Sequence, residues 1–386
     1  WGTGANFMGA QWGDRADFQG AHFGRYANFQ SASWGGLSTF HGALWGNKAS
    51  FKGACWGDEA NFDDSLWGNQ TNFQGAQWGT RSSFIGARWG DWTHLQGTLW
   101  GDRCNFQKAQ WGYEANFTSA RWGDRADFQA AHWGNEANFK ESLWGDNANF
   151  YGAQWGEWAN FGRAHWGYSA NFQDARWGDG AAFNYALWGI ESNFSGAKWG
   201  GKSNFLGAQW AGASNFEDAQ WGYEANFKDA TWGDKSDFQF AHWADEANFA
   251  DAHWGDTANF YGAHLGDWAN FEAAQWGYTA NFQDTHWGYA ANFCDAQWGY
   301  GANFTGALWG AKAQFHFARW GDACNFVGSR WGDRANFIGA QWGNNANFQA
   351  ARWGEWSEFQ ISKWGGAAVF DGAQWGYGTT FQGAQW

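Results

Sequence analysis

Tryptophan returns at every eleventh position from Trp1 to Trp386, with Phe23 and Leu265 as the exceptions. The 386 residues are therefore thirty-five elevens with one residue left over. Such strict periodicity excludes an ordinary globular enzyme, whose catalytic groups sit on irregular loops. Length alone suggests two or three domains, but an unbroken repeat replaces them with one solenoid over residues 1–386. No apolar run approaches the ~20 residues of a membrane-spanning helix. Disorder is excluded as well, because aromatics make up 22% of the chain and disordered segments are poor in them.

The repeat reads W-G-x-x-A-N-F-x-x-A-x. Its seventh slot holds Phe throughout except for Leu95, and its fifth and tenth slots hold only Ala, Ser, Thr or Cys. Strictly large and strictly small positions mark an interior of fixed volume, which tolerates neither voids nor added methylenes. Each interior pair runs small-x-aromatic, as in Ala5-Asn6-Phe7 and Ala10-Gln11-Trp12. That period of two predicts short strands with one face buried. A helix fits poorly, because its 3.6-residue period misses these steps and each interior Gly would cost ~1 kcal/mol. An eleven-residue right-handed coiled coil is the one helical rival, and the Gly, Asn and aromatic load speaks against it. Gly follows the repeat Trp except at Ala211 and Ala244, which points to close backbone approach rather than a demand for positive φ. Each buried indole N–H is expected to find an acceptor, a backbone carbonyl at the neighbouring corner.

The Ala-Asn-Phe-x-Gly element, alternating with a six-residue Ala-x-Trp-Gly-x-x, resembles the pentapeptide-repeat family over the whole chain. The resemblance implies a right-handed quadrilateral β-helix, with the central aromatic and the small residue two before it pointing inward. The alternate Trp and the extra residue after it depart from that family's pattern at the corners. Two undecapeptides per turn give four faces and 22 residues per coil, about 17.5 coils in all. Trp92, Trp158, Trp268 and Trp356 lie outside the regular Trp slot and are separated by multiples of 22, so they share one face. Tyr113/Tyr223, Glu114/Glu224 and His132/His242 recur at 110 residues, which is five such coils. Duplication accounts for that longer period.

Several outward residues are candidates for chemistry. Trp92, Trp158, Trp268 and Trp356 form a possible surface aromatic stripe for sugar or a partner. His242, His264 and His286 fall one coil apart and form a candidate metal or pH-sensitive column. Cys104 and Cys324 read as small core residues, and Cys55 and Cys294 as candidate exposed thiols; no pair has metal-type spacing. Asn69, Asn116, Asn193 and Asn303 open Asn-x-Ser/Thr triplets. No nucleophile–base constellation, paired-carboxylate motif or phosphate loop rises above the repeat, so neither catalysis nor a cofactor is expected.

Some pentapeptide-repeat proteins imitate DNA, and this chain is acidic, with a net charge of −14. Spread over an expected ~85 Å, that is one charge per ~6 Å, against one per ~1.7 Å in B-DNA. A nucleic-acid-like role is therefore the lesser alternative. The repeat runs in phase to both termini without a polar capping unit, which predicts a segment of a longer repeat polypeptide or rods that stack end to end. The function expected is a structural filament, extracellular or in the cell envelope, with itself as partner through end-to-end and lateral contacts. The alternative is a rod-shaped module that binds a protein or a polysaccharide.

Overall fold

The computed structural model describes every residue from Trp1 to Trp386, in two compact units, Trp1–Asn193 and Phe194–Trp386. Each unit is an all-β parallel solenoid without helices, and no helix long and apolar enough to cross a membrane exists. In the first unit, β1 (Gln11–Trp12) pairs in parallel with β3 (Ser33–Trp34), placing Trp12 opposite Trp34. The strand between them, β2 (His22–Phe23), pairs likewise with β4 (Leu44–Trp45). Single-residue bridges, Asn6 to Asn28 and Asp17 to Thr39, supply two more ladders. Four ladders make a four-sided coil, and all share the 22-residue register that the sequence predicts. The second unit repeats the plan, with Trp232 opposite Trp254 and Asn226 opposite Asn248. At 22 residues per coil, each unit of 193 residues holds just under nine coils.

Left-handed residues turn the corners. The fourth and ninth slots of each eleven have φ near +60°, as at Lys48 (62°), Gly53 (64°), Glu59 (60°) and Asp64 (54°). Their N–H groups donate to the following coil, Lys48 to the Asn69 carbonyl at 2.8 Å and Gly53 to that of Gln74 at 2.9 Å. A non-glycine residue held there costs about 1–2 kcal/mol, so these hydrogen bonds work against a standing strain. Free substitution at those slots correctly marks them as solvent-facing, but it conceals the backbone they adopt.

Gly in the second slot answers to a different constraint. Gly57 is not left-handed, yet a Cβ on it would lie 2.6 Å from the backbone nitrogen of Gly36 in the preceding coil. Close approach, as expected from Ala211 and Ala244, is therefore the cause. Ala211 also shows what the extra methyl disturbs. Buried Ser and Thr in the fifth slot normally donate to the carbonyl three residues back, as Ser203 does to Gly200 (2.9 Å) and Ser236 to Gly233 (2.9 Å). Residues 211–214 replace the usual turn with a bend, and the buried Ser214 hydroxyl has no partner.

The interior consists of four aromatic columns. Trp34 stacks on Trp56 with centroids 4.8 Å apart and planes 2° from parallel, and Phe40 on Phe62 at 4.7 Å and 2°. Neighbouring columns meet edge to face, as Trp34 and Phe40 do at 5.5 Å and 82°. These spacings follow the ~4.8 Å strand separation, which sets every ring over its counterpart. Outside the Phe columns run asparagine ladders: in the second unit Asn226 donates to Asn204, Asn248 to Asn226 and Asn270 to Asn248, at 3.0–3.2 Å. Each Asn oxygen also accepts the N–H two residues on, as Asn248 does from Ala250.

The expectation of a carbonyl acceptor for each indole is overturned. The buried N–H groups of Trp34, Trp56, Trp144, Trp166 and Trp254, among others, have no hydrogen-bond partner. The backbone carbonyls are already committed to the ladders, which leaves the indoles edge-to-face contacts with perpendicular rings. Exceptions occur where the tenth slot carries a suitable hydroxyl: Trp100 donates to Thr98 (3.0 Å), Trp287 to Thr285 (3.0 Å) and Trp364 to Ser362 (3.2 Å). These rings leave the regular stack. Trp100 lies 3.7 Å from Trp78 but 6.5 Å from Trp122. Two of them adjoin a missing aromatic, Leu95 in the case of Trp100 and Leu265 in that of Trp287, where the smaller side chain leaves room for the shift.

Candidate functional site

Because strands are two residues long and corners are fixed, an outward residue has no freedom except its position in the coil. Function on such a scaffold is a matter of which residues the 22-residue register places in one column. The structure puts His242, His264 and His286 in direct register, as the spacing predicts. The His264 and His286 rings stack at 4.6 Å and 1°, whereas His242 and His264 are 6.2 Å apart and tilted by 40°. Partial burial, then the neighbouring charges of His286 and His242, holds His264 below the ordinary imidazole range. Parallel rings keep their nitrogens in separate planes instead of converging on one point. No group of three or more His, Cys, Asp or Glu is arranged to hold a metal ion.

The thiols divide as their slots predict. Cys104 and Cys324 are fully buried, and each Sγ donates to the carbonyl three residues back at 3.2 Å, as Ser does in that slot. Burial pushes both thiols up to about 12 from an ordinary 9.0. Cys55 and Cys294 are half-buried and free. Between pH 9.0 and about 12 the unfolded chain would release the Cys104 and Cys324 protons while the folded chain retains them. Folded stability is therefore expected to fall through that window by roughly 1.4 kcal/mol per pH step of one for each thiol. Denaturant melts from pH 8 to 11 on the wild type and on Cys104→Ala/Cys324→Ala would read the difference.

The Asn-x-Ser/Thr triplets lie within the ladders. The Asn303 amide donates to Asn281 (3.1 Å) and that of Asn193 to Asn171 (3.3 Å), while Asn69 reaches Asp91 (3.4 Å). Asn116 accepts both the N–H (3.0 Å) and the hydroxyl (2.7 Å) of Thr118. A sugar on any of the first three would break a coil-to-coil link.

Trp92, Trp158, Trp268 and Trp356 all occupy the left-handed fourth slot, with φ from 55° to 60°, and are 39–55% exposed. The register separates them into two kinds, which the sequence stripe did not distinguish. One and two coils before Trp158 stand Glu136 and Glu114, and before Trp268 stand Glu246 and Glu224. At the corresponding places Trp92 has Gln70 and Lys48, and Trp356 has Arg334 and Lys312. Only the second kind walls a groove. In the first unit the groove is about 540 Å³, with Trp92 and Lys48 at its ends, Gln70 between them, and Asn72 and His94 along its side. In the second unit it is about 450 Å³, with Trp356, Lys312, Arg334, Asn336 and Glu358 in the same places. Each wall is braced from behind by a Tyr of the following coil. Trp92 meets Tyr113 at 6.2 Å and 87°, and Trp356 meets Tyr377 at 5.2 Å and 90°. Each Lys leans away from its Trp onto a Tyr ring, Lys48 over Tyr26 at 5.7 Å and Lys312 over Tyr289 at 5.2 Å.

The fold defines the class: a four-sided parallel β-solenoid of alternating five- and six-residue units. The chain carries pentapeptide repeats, since the family described as "Pentapeptide repeats" matches residues 227–275 with 9 copies. No curated protein matches the sequence. Among solved structures it is similar to a trypsin-treated form of QnrB1, a plasmid-mediated fluoroquinolone resistance protein, at 15% identity and a TM-score of 0.18. That match covers 51% of this chain and 86% of the other. Full-length QnrB1 matches at 12% identity and a TM-score of 0.15, covering 66% and 92%. At these scores the likeness carries no functional argument.

Proposed function

We propose that this chain is a non-catalytic structural solenoid whose coils assemble or continue end to end into a filament. The observation that supports it is the self-complementarity of the coil. Every coil meets its neighbours through the same four parallel ladders at the same register, so any open coil offers the donors, acceptors and aromatic faces that another copy needs. An extracellular or cell-envelope setting suits such a fibre. Negative-stain microscopy and sedimentation of the purified chain are expected to show filaments growing with concentration. A monodisperse 43.2 kDa particle at all concentrations would overturn the reading.

A second reading, a binding module for a basic partner, is favoured by one segment of the second unit. Between Lys235 and Lys312 there is no Lys or Arg, and there are nine Asp and Glu. Those 76 residues occupy about 3.5 coils, or ~17 Å of rise, so carboxylates come about every 2 Å, close to the ~1.7 Å spacing of charge in B-DNA. The chain-wide average conceals this concentration. Asp245, Glu246 and Asp267 lie at one corner and Asp251, Glu272 and Asp295 at the next, with the Asn248–Asn270–Asn292 ladder between them. None of these acids is in an ion pair. Salt-sensitive capture of a Lys/Arg-rich protein domain, lost in Asp251→Asn/Glu272→Gln/Asp295→Asn, would favour this reading; salt-insensitive or unchanged capture would remove it.

A further inference from the structure

We infer that the two grooves walled by Trp92 and Trp356 are equivalent binding sites for an anionic glycan, each taking one sugar face on the indole and one acidic group at the cationic end. The inference does not depend on whether the coils assemble end to end. Three observations converge on it.

The first is recurrence. The two grooves lie 264 residues apart, a whole number of 22-residue coils, and repeat the same plan of Trp, middle polar side chain, Lys and Asn. Yet Gln70 corresponds to Arg334, and His94 to Glu358, so the plan persists where individual residues differ.

The second is the chemistry of the walls. An exposed indole held at a right angle by a Tyr behind it presents a fixed, flat face, the surface that the C–H side of a pyranose ring covers. The Asn and Gln amides along the floor provide donors and acceptors for ring hydroxyls. Asn72 and Asn336 each use their oxygen on the N–H two residues on, at 2.8 and 3.0 Å, so the amides are held in place.

The third is the sign of the charge. In a chain of net charge −14, both grooves are locally cationic: Lys48 with His94 in one, and Lys312 with Arg334 against Glu358 in the other. Each Lys is drawn onto a Tyr ring, which holds it in position and opens the space above the middle coil. Trp158 and Trp268, preceded in their column by paired glutamates, have the same indole without the cations and without a groove. They are controls supplied by the chain itself.

A carboxylated and a sulfated glycan share the required chemistry, so the test uses both. Calorimetry on the full chain would titrate an oligogalacturonate, a sulfated oligosaccharide and a neutral cello-oligosaccharide at low and high salt. Expected is saturable binding of at least one anionic oligosaccharide at two sites, weakened by salt, with the neutral one at least about tenfold weaker. Whichever anionic oligosaccharide binds identifies the acidic group. Trp92→Ala and Trp356→Ala should each remove one site, and Trp158→Ala with Trp268→Ala should remove none. All four side chains are exposed, so unchanged thermal melts would confirm that the variants keep their fold. Absence of binding, preference for the neutral sugar, or equal losses from Trp158→Ala and Trp268→Ala would each overturn the inference.

Discussion

Replacing Trp166 with alanine is expected to cost about 3–5 kcal/mol, the upper range for deleting a buried aromatic. Trp166 has no exposed surface. It stacks between Trp144 and Trp188 at 4.7 and 4.8 Å and meets Phe161 and Phe172 at 5.8 and 5.5 Å. The ladders hold those rings in register and oppose their collapse into the void, so the cavity persists and its full cost is felt. A solenoid distributes stability through neighbouring coils, so the damage should be local. Hydrogen exchange is expected to accelerate in the coils around Trp144 and Trp188 and much less in those near Trp12. Trp158→Ala, on an exposed indole eight residues away, should change stability by no more than about 0.5 kcal/mol. A Trp166→Ala loss below about 1 kcal/mol, or exchange that quickens uniformly, would contradict the account of the core.

Gly57→Ala is the second large effect, expected at about 3 kcal/mol from a single methyl group. The added Cβ would fall 2.6 Å from the Gly36 nitrogen and 2.8 Å from the Gly35 carbonyl carbon, both of them backbone. Backbone cannot swing aside as a side chain can, so the two coils must part. The comparison is Gly97→Ala, where φ is +63° and nothing lies within 4 Å. There only the left-handed conformation is penalised, at about 1 kcal/mol. The reverse substitution, Ala211→Gly, should stabilise the second unit by about 1–3 kcal/mol, by restoring the turn at 211–214 and a partner for Ser214. Denaturant midpoints of the three variants check the ranking. Equal costs for Gly57→Ala and Gly97→Ala would show that close approach is not what the second slot answers to.

Much of this was legible in the residues. The small and aromatic slots named the interior before any coordinates, because a core of fixed volume admits no substitution there. Ala211 and Ala244 were enough to separate close approach from left-handed geometry at the second slot. The corners were harder to read. A slot that accepts Lys, Glu, Trp and Gly alike carries no residue signature of positive φ, since the strain is borne by hydrogen bonds to the next coil. The indole N–H groups were misjudged for a related reason: whether a carbonyl is free depends on ladders that pair residues 22 apart. Trp92 and Trp356 were recognised as exposed, but their grooves were not, because the Lys and Gln or Arg that complete them lie 22 and 44 residues earlier.

What the sequence alone determined is therefore the unit: strand pattern, interior slots and a 22-residue coil. These follow from local periodicity and side-chain volume, which act within a few residues. Only the tertiary structure decided which residues share a column, which hydroxyls capture an indole, and which of four similar tryptophans wall a groove. Those outcomes depend on contacts between coils, where residues 22 positions apart along the chain come to lie ~4.8 Å apart in space.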